Sequence, residues 1–152
     1  MSKPLFSIVA IAKNEANTLP RLLQSIKPFL DRGGEFVLLD TGSTDKTAEI
    51  AQKGGAIVHE VGEKFITVID QDTAKAINDR FIVENEPPIV FPGSRLFDFA
   101  AARNHVTSLA TNDFVITLDC DEAYSSFDID AINQAILEGV EQMEYQFVYA
   151  HD

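Results

Sequence analysis

Three stretches of this chain, Phe6–Ala12, Glu35–Asp40 and Phe114–Asp119, are apolar almost throughout instead of alternating with polar residues. A strand with one face in water alternates with a period of two. Continuous runs of this length therefore predict strands covered on both faces, the condition of a parallel sheet between helical layers. Ala56–Val61 and Tyr145–Ala150 are two further strand-length runs. Between the runs the spacing becomes helical. Leu19, Leu22, Leu23 and Ile26 recur at i, i+3, i+4 and i+7, with Asn17 or Thr18 as cap and Pro20 in the first turn. Asp45–Lys53 stops at Gly54-Gly55, Asp98 caps a helix through about Ala110, and Asp128 caps another through about Gln142. Strand and helix in alternation give a doubly wound α/β domain, and 152 residues with 45% hydrophobic content suffice for one such core.

Two features interrupt the pattern. Gly62–Phe97 is too long for a connection and carries a short helical pattern over Asp72–Phe81, so it reads as an insertion. Its position predicts that it emerges beyond the carboxyl ends of the strands, where open α/β sheets take ligands. The chain also stops at Asp152, directly after its last strand-like run, and reads as a domain cut short at its C-terminal end.

Composition excludes some functions. With 24 acidic residues against 12 Lys plus Arg, the formal charge is −12, which opposes a nucleic-acid surface built on phosphate contacts. Such a chain can still hold a phosphorylated small molecule if a divalent cation sits between the two anions. No apolar run is long enough for a transmembrane segment, and the start Met1-Ser2-Lys3-Pro4 lacks a signal peptide's apolar stretch. A single cysteine, Cys120, supports neither a disulfide framework nor a zinc site. These features predict a cytoplasmic protein.

The strongest chemical motif is Phe114-Val-Ile-Thr-Leu-Asp119-Cys120-Asp121-Glu122, an apolar strand that delivers two carboxylates to the loop at its end. Carboxylates are hard oxygen ligands suited to Mg²⁺ or Mn²⁺, in sites that leave positions open for substrate phosphates. Taken alone, the pair fits a solvated acidic turn at least as well. Asp40-Thr41-Gly42-Ser43-Thr44-Asp45 places a carboxylate at a second strand end, where doubly wound folds receive nucleotides, and an ionised Asp40 would accept from the ring N–H of uracil or guanine. An ordinary Asx turn explains the same residues. Asp98-Phe-Ala-Ala-Ala-Arg103-Asn104 opens the helix before the Asp-x-Asp strand; Arg103 offers a planar cation to phosphate, or a partner to any nearby acid. In Lys13-Asn14-Glu15, after the first strand, Lys13 would face a phosphate and Glu15 a ribose hydroxyl, or both would be solvated loop charges.

In this order the four segments resemble the inverting family 2 glycosyltransferases of GT-A fold. The matching stretches are Ser7-Ile-Val-Ala-Ile-Ala-Lys-Asn-Glu15, Val37-Leu-Leu-Asp-Thr-Gly-Ser-Thr-Asp-Lys-Thr47, Asp98-Phe-Ala-Ala-Ala-Arg-Asn104 and Leu118-Asp-Cys-Asp-Glu122. The resemblance implies a Rossmann-like, mostly parallel sheet flanked by helices, C-terminally incomplete. Residues 1–152 would be the nucleotide-sugar-binding part, with the insertion at about 62–97 and the acceptor-binding half missing. It implies that Ile11, Ala12, Lys13, Glu15, Asp40, Asp98, Arg103 and Asp119 bind the nucleotide sugar, and that Asp121 with Asp119 holds Mn²⁺ or Mg²⁺. This chain has Thr41 where many relatives carry a second acid. The catalytic general base is expected beyond Asp152, and Glu122 does not match it.

The implied function is metal-dependent transfer of a sugar, of hexosyltransferase type. It would pass with inversion from a nucleotide-diphospho-sugar, a UDP-sugar first, to a carbohydrate or glycoconjugate acceptor. The alternative is a truncated or degenerate module that binds nucleotide without transfer. A phosphatase with a strand-borne Asp-x-Asp would want Thr or Val at the position of Ala123. A sugar nucleotidyltransferase would want a glycine-rich loop where Lys13-Asn14-Glu15-Ala16-Asn17 stands.

Overall fold

The computed structural model describes residues 2–84 and 86–143. Four strands, β1 (Phe6–Ala12), β2 (Glu35–Asp40), β3 (Ile57–Glu60) and a later strand over Phe114–Asp119, form one parallel sheet. The helices are α1 (Leu19–Ser25), α2 (Lys27–Asp31), α3 (Thr47–Lys53), α4 (Gln71–Phe81), α5 (Phe99–Ser108) and α6 (Ile129–Leu137). Two short strands of the insertion, β4 (Ile66–Val68) and β5 (Arg95–Phe97), make the Phe114–Asp119 strand β6.

The sheet order is β3-β2-β1-β6. Alternation along β1 and β2 divides the core in two. Phe6, Ile8, Ala10, Phe36 and Leu38 face α1, α2, α3 and α6, while Val9, Val37 and Leu39 face Ala102 and Val106 of α5. The small Ala102, fully buried against this second face, is the point at which α5 packs on the sheet. Continuous burial of β1 and β2 matches the expectation from their unbroken apolar runs. β6 departs from it. Only Leu118 is fully buried there, and among the described residues β6 pairs with β1 alone. The run Tyr145–Ala150 lies outside the described residues.

The helix boundaries follow local chemistry. Asp98 and Asp128 each accept a backbone N–H three residues on, from Ala101 at 2.9 Å and Ala131 at 3.0 Å. The expected helix from Asp128 to about Gln142 ends at Leu137. Gly139 takes φ 85°, and the N–H groups of Gly139 and Val140 turn back to the carbonyls of Ile136 and Ala135, a helix stop that requires a left-handed residue. The described residues of the insertion form regular structure. β4 and β5 pair antiparallel, Asp70 caps α4, and Asn78 bonds the backbone at Ile89 and Val90. No described helix is long and apolar enough to cross a membrane.

Candidate functional site

Parallel pairing aligns the carboxyl ends of the strands: Ala12 lies beside Asp40, and Ile11 beside Asp119. The loops leaving β1 and β2 are stitched to each other. Asn14, at φ 58°, donates its N–H to Ser43 Oγ at 2.9 Å and accepts from Thr44 N at 2.8 Å. Glu15 N donates to Thr47 Oγ1 at 2.8 Å, and Ala16 N to Asp45 Oδ2 at 3.2 Å. A turn of polar residues thus becomes a fixed rim, since each loop satisfies the other's backbone donors.

Beyond this rim opens a cleft of about 440 Å³ lined by Ile11, Lys13, Glu15, Thr41, Arg103, Asp119 and Asp121, with Ile66, Phe97, Phe99 and Cys120 closing it. Six of the residues singled out in the sequence therefore meet in one cavity: Ile11, Lys13, Glu15, Arg103, Asp119 and Asp121. Asp40, Ala12 and Asp98 do not line it. Asp40 is 2% exposed; its Oδ1 accepts from the N–H groups of Gly42 at 2.9 Å and Ser43 at 2.7 Å. Its Oδ2 is buried with no hydrogen-bond partner among the described residues. The carboxylate thus organises the turn from beneath, and Thr41 is the residue this strand end presents. Asp98 is engaged as the cap of α5.

Arg103 Nη2 meets Asp119 Oδ1 at 3.3 Å, a single contact between exposed groups and therefore weak. Glu122 accepts the Asp119 N–H at 2.9 Å; burial first, and then the charges of Asp119 and Asp121, push its carboxyl above the usual range. Cys120 is buried with its thiol toward the Ile11 carbonyl. Burial, followed by Glu15, Asp119, Asp121 and Asp40, pushes it up to about 12, so it is no nucleophile. The lining sets the cations Lys13 and Arg103 against the carboxylates of Glu15, Asp119 and Asp121.

Among the described residues no group of three or more His, Cys, Asp or Glu is arranged around a metal position. Asp119 and Asp121 carry hard oxygen donors of the kind that a divalent ion shares with phosphate oxygens and water. Sequence reasoning missed Thr41, Ile66, Phe97 and Phe99. Phe99 precedes Arg103 by one helical turn, a spacing visible in the sequence, whereas Ile66 and Phe97 reach the cleft only through the β4–β5 pairing. A larger hollow, about 610 Å³, lies between α2 and the start of α6, but its one cation, Arg32, is bound to Ser2 O and Asp130.

Residues 7–69 match the family described as Glycosyl transferase family 2. A TPR repeat-containing protein of Synechococcus elongatus is 33% identical over 116 residues, covering 76% of this chain and 20% of the relative. A PGL/p-HBAD biosynthesis glycosyltransferase of Mycobacterium tuberculosis is 38% identical over 79 residues, covering 52% of this chain and 29% of that protein. Among solved structures, S. aureus TarS superposes with a TM-score of 0.56 at 21% identity, over 91% of this chain and 20% of that one. Over residues 7–69 the chain thus matches glycosyltransferase family 2, and its α/β architecture is that of the GT-A glycosyltransferase structures. It spans less than a third of the length of these curated relatives.

Proposed function

We propose that this chain forms the donor-binding part of a glycosyltransferase that moves a sugar from a UDP-sugar to a carbohydrate or glycoconjugate acceptor, with inversion and with a divalent ion. The observation that carries the reading is the cleft in which Asp119 and Asp121 stand beside Arg103 and Lys13 at aligned strand ends. The family 2 match over residues 7–69 supports the reaction class, and a TarS fragment of the same fold has been solved with UDP.

In this reading Arg103 and Lys13 bind the diphosphate, Thr41 and Ile11 border the nucleoside, and Asp119 and Asp121 would hold Mn²⁺ or Mg²⁺. Such an ion, when bound, supplies Lewis-acid stabilisation of the departing diphosphate. The acceptor hydroxyl needs a general base. Glu15, the remaining carboxylate on the cleft, accepts from the Thr18 hydroxyl through Oε2.

Titration of UDP by calorimetry with and without Mn²⁺ tests the proposal. The ion should strengthen binding by about ten-fold or more, equivalent to roughly 1.4 kcal/mol. Asp121→Ala should abolish that gain while leaving the fold intact. UDP binding of equal strength with and without the ion contradicts the reading.

A further inference from the structure

The insertion has no role in the reading above, yet two of its residues stand in the cleft. Ile66 and Phe97 are directly paired across β4 and β5, which places both side chains on one face of this two-stranded ribbon. Phe65 anchors the ribbon by packing against His105 and the α5 side of the core, and Asp98 N donates to Phe65 O at 2.9 Å, joining the ribbon to the start of α5. Phe99 follows as the first residue of α5 and lies edge-on to Phe97, with centroids 4.7 Å apart and planes at 82°. Phe99 nevertheless remains 61% exposed while lining the cleft. The cleft lining therefore includes an apolar patch of Ile66, Phe97 and Phe99 besides its charged residues.

The spacing on α5 is informative. Phe99 and Arg103 are four residues apart, so they lie on one helix face about 6 Å from each other. A ligand that lays a flat ring on Phe99 thus brings an anionic group, one short linker away, to Arg103. A nucleoside diphosphate has that build, with the ribose as linker. The Asp98 cap and the Phe97 contact hold the aromatic ring in place before any ligand arrives. The buried Asp40 carboxylate leaves base recognition without its expected side chain in the cleft.

We infer that Phe99, backed by Phe97 and Ile66 of the insertion, is the stacking surface for the donor's nucleobase, and that the insertion is thereby part of the donor site. The inference rests on the proposed donor-binding role. Stacking on an aromatic side chain is sequence-tolerant and strong enough that its loss should weaken binding roughly ten-fold.

The chain contains no tryptophan, so Phe99→Trp places a single tryptophan, whose emission can be excited selectively over the three tyrosines, at the stacking position. UMP and UDP should each quench it, whereas ribose 5-phosphate should not. In calorimetry with Mn²⁺, Phe99→Ala should weaken UMP and UDP by the same factor, roughly ten-fold. Arg103→Gln should weaken UDP more than UMP. Phe99→Ala binding UDP as tightly as the wild type overturns the inference while leaving the donor reading intact. So does a variant that loses affinity for UDP-glucose but not for UDP, since the ring would then be stacking on the sugar. A wild-type chain that binds no uridine nucleotide removes both.

Discussion

At the scale of single residues, Asp40 holds the most unusual position. Its Oδ1 accepts two backbone N–H groups of the Gly42 turn, and its Oδ2 is buried without a partner among the described residues. Hydrogen bonds to a charged acceptor are worth about 1.5–3 kcal/mol each, and burying an unpaired oxygen offsets part of that. Asp40→Ala should therefore cost roughly 1–3 kcal/mol, read as a lower urea midpoint at unchanged slope. Asp40→Asn keeps an acceptor at Oδ1 and removes the charge, so it should stay close to wild type. Because Thr41, and not Asp40, faces the cleft, the Asn variant should also hold UDP within about three-fold, a difference under 1 kcal/mol. A larger loss of affinity at preserved stability would show that the carboxylate reaches the base after all. Sequence could place Asp40 at a strand end, but burial depends on what the neighbouring loops cover, and that information is spread over Gly62 and the stitched Asn14 loop.

At the scale of elements, the sheet is fastened at the end opposite the cleft by Glu35, the first residue of β2. Its Oε1 accepts from Ser7 Oγ of β1 at 2.7 Å and from Thr111 N at 2.7 Å; its Oε2 accepts from Thr111 Oγ1 at 2.6 Å. Asn112 Nδ2 extends the chain to Ser7 Oγ at 2.9 Å. One carboxylate thus joins β1, β2 and the connection from α5 to β6. Burial alone would raise the Glu35 carboxyl; the bonds from Thr111 and Ser7 outweigh it and hold the group below its ordinary 4.5. A depressed carboxyl contributes its full stabilisation above pH 4.5 and loses it as pH falls through the lowered folded-state value. Urea midpoints measured from pH 7 downward should therefore drop below pH 4.5, and Glu35→Gln should lower the plateau and flatten part of that decline. None of this clamp was legible in the sequence, whose local patterns do not say which loops meet. The strands of the main sheet and the Asp98 and Asp128 caps were legible, because each is fixed by chemistry within a few residues. Three-residue strands such as β4 and β5 carry no periodicity to detect.

At the scale of the whole molecule, charge governs what the cleft accepts. The chain carries 24 acidic residues against 12 basic ones, and the cleft lining repeats the imbalance with Glu15, Asp119 and Asp121 against Lys13 and Arg103. A diphosphate approaching without a metal therefore meets net repulsion, both from the lining and from the field of the entire domain. Salt should relieve it: the screening length falls from about 30 Å at 0.01 M to about 8 Å at 0.15 M, shorter than the domain is wide. In EDTA, UDP binding should strengthen as NaCl rises over that range. With Mn²⁺ at saturating concentration the dependence should vanish or reverse, because a divalent ion on Asp119 and Asp121 turns the local excess positive and salt then screens an attraction. Calorimetric titrations across the four conditions read this as a change in the sign of the slope of log Kd against log salt. Parallel slopes in EDTA and Mn²⁺ would mean that no divalent ion on the two strand-end carboxylates changes the charge the donor meets.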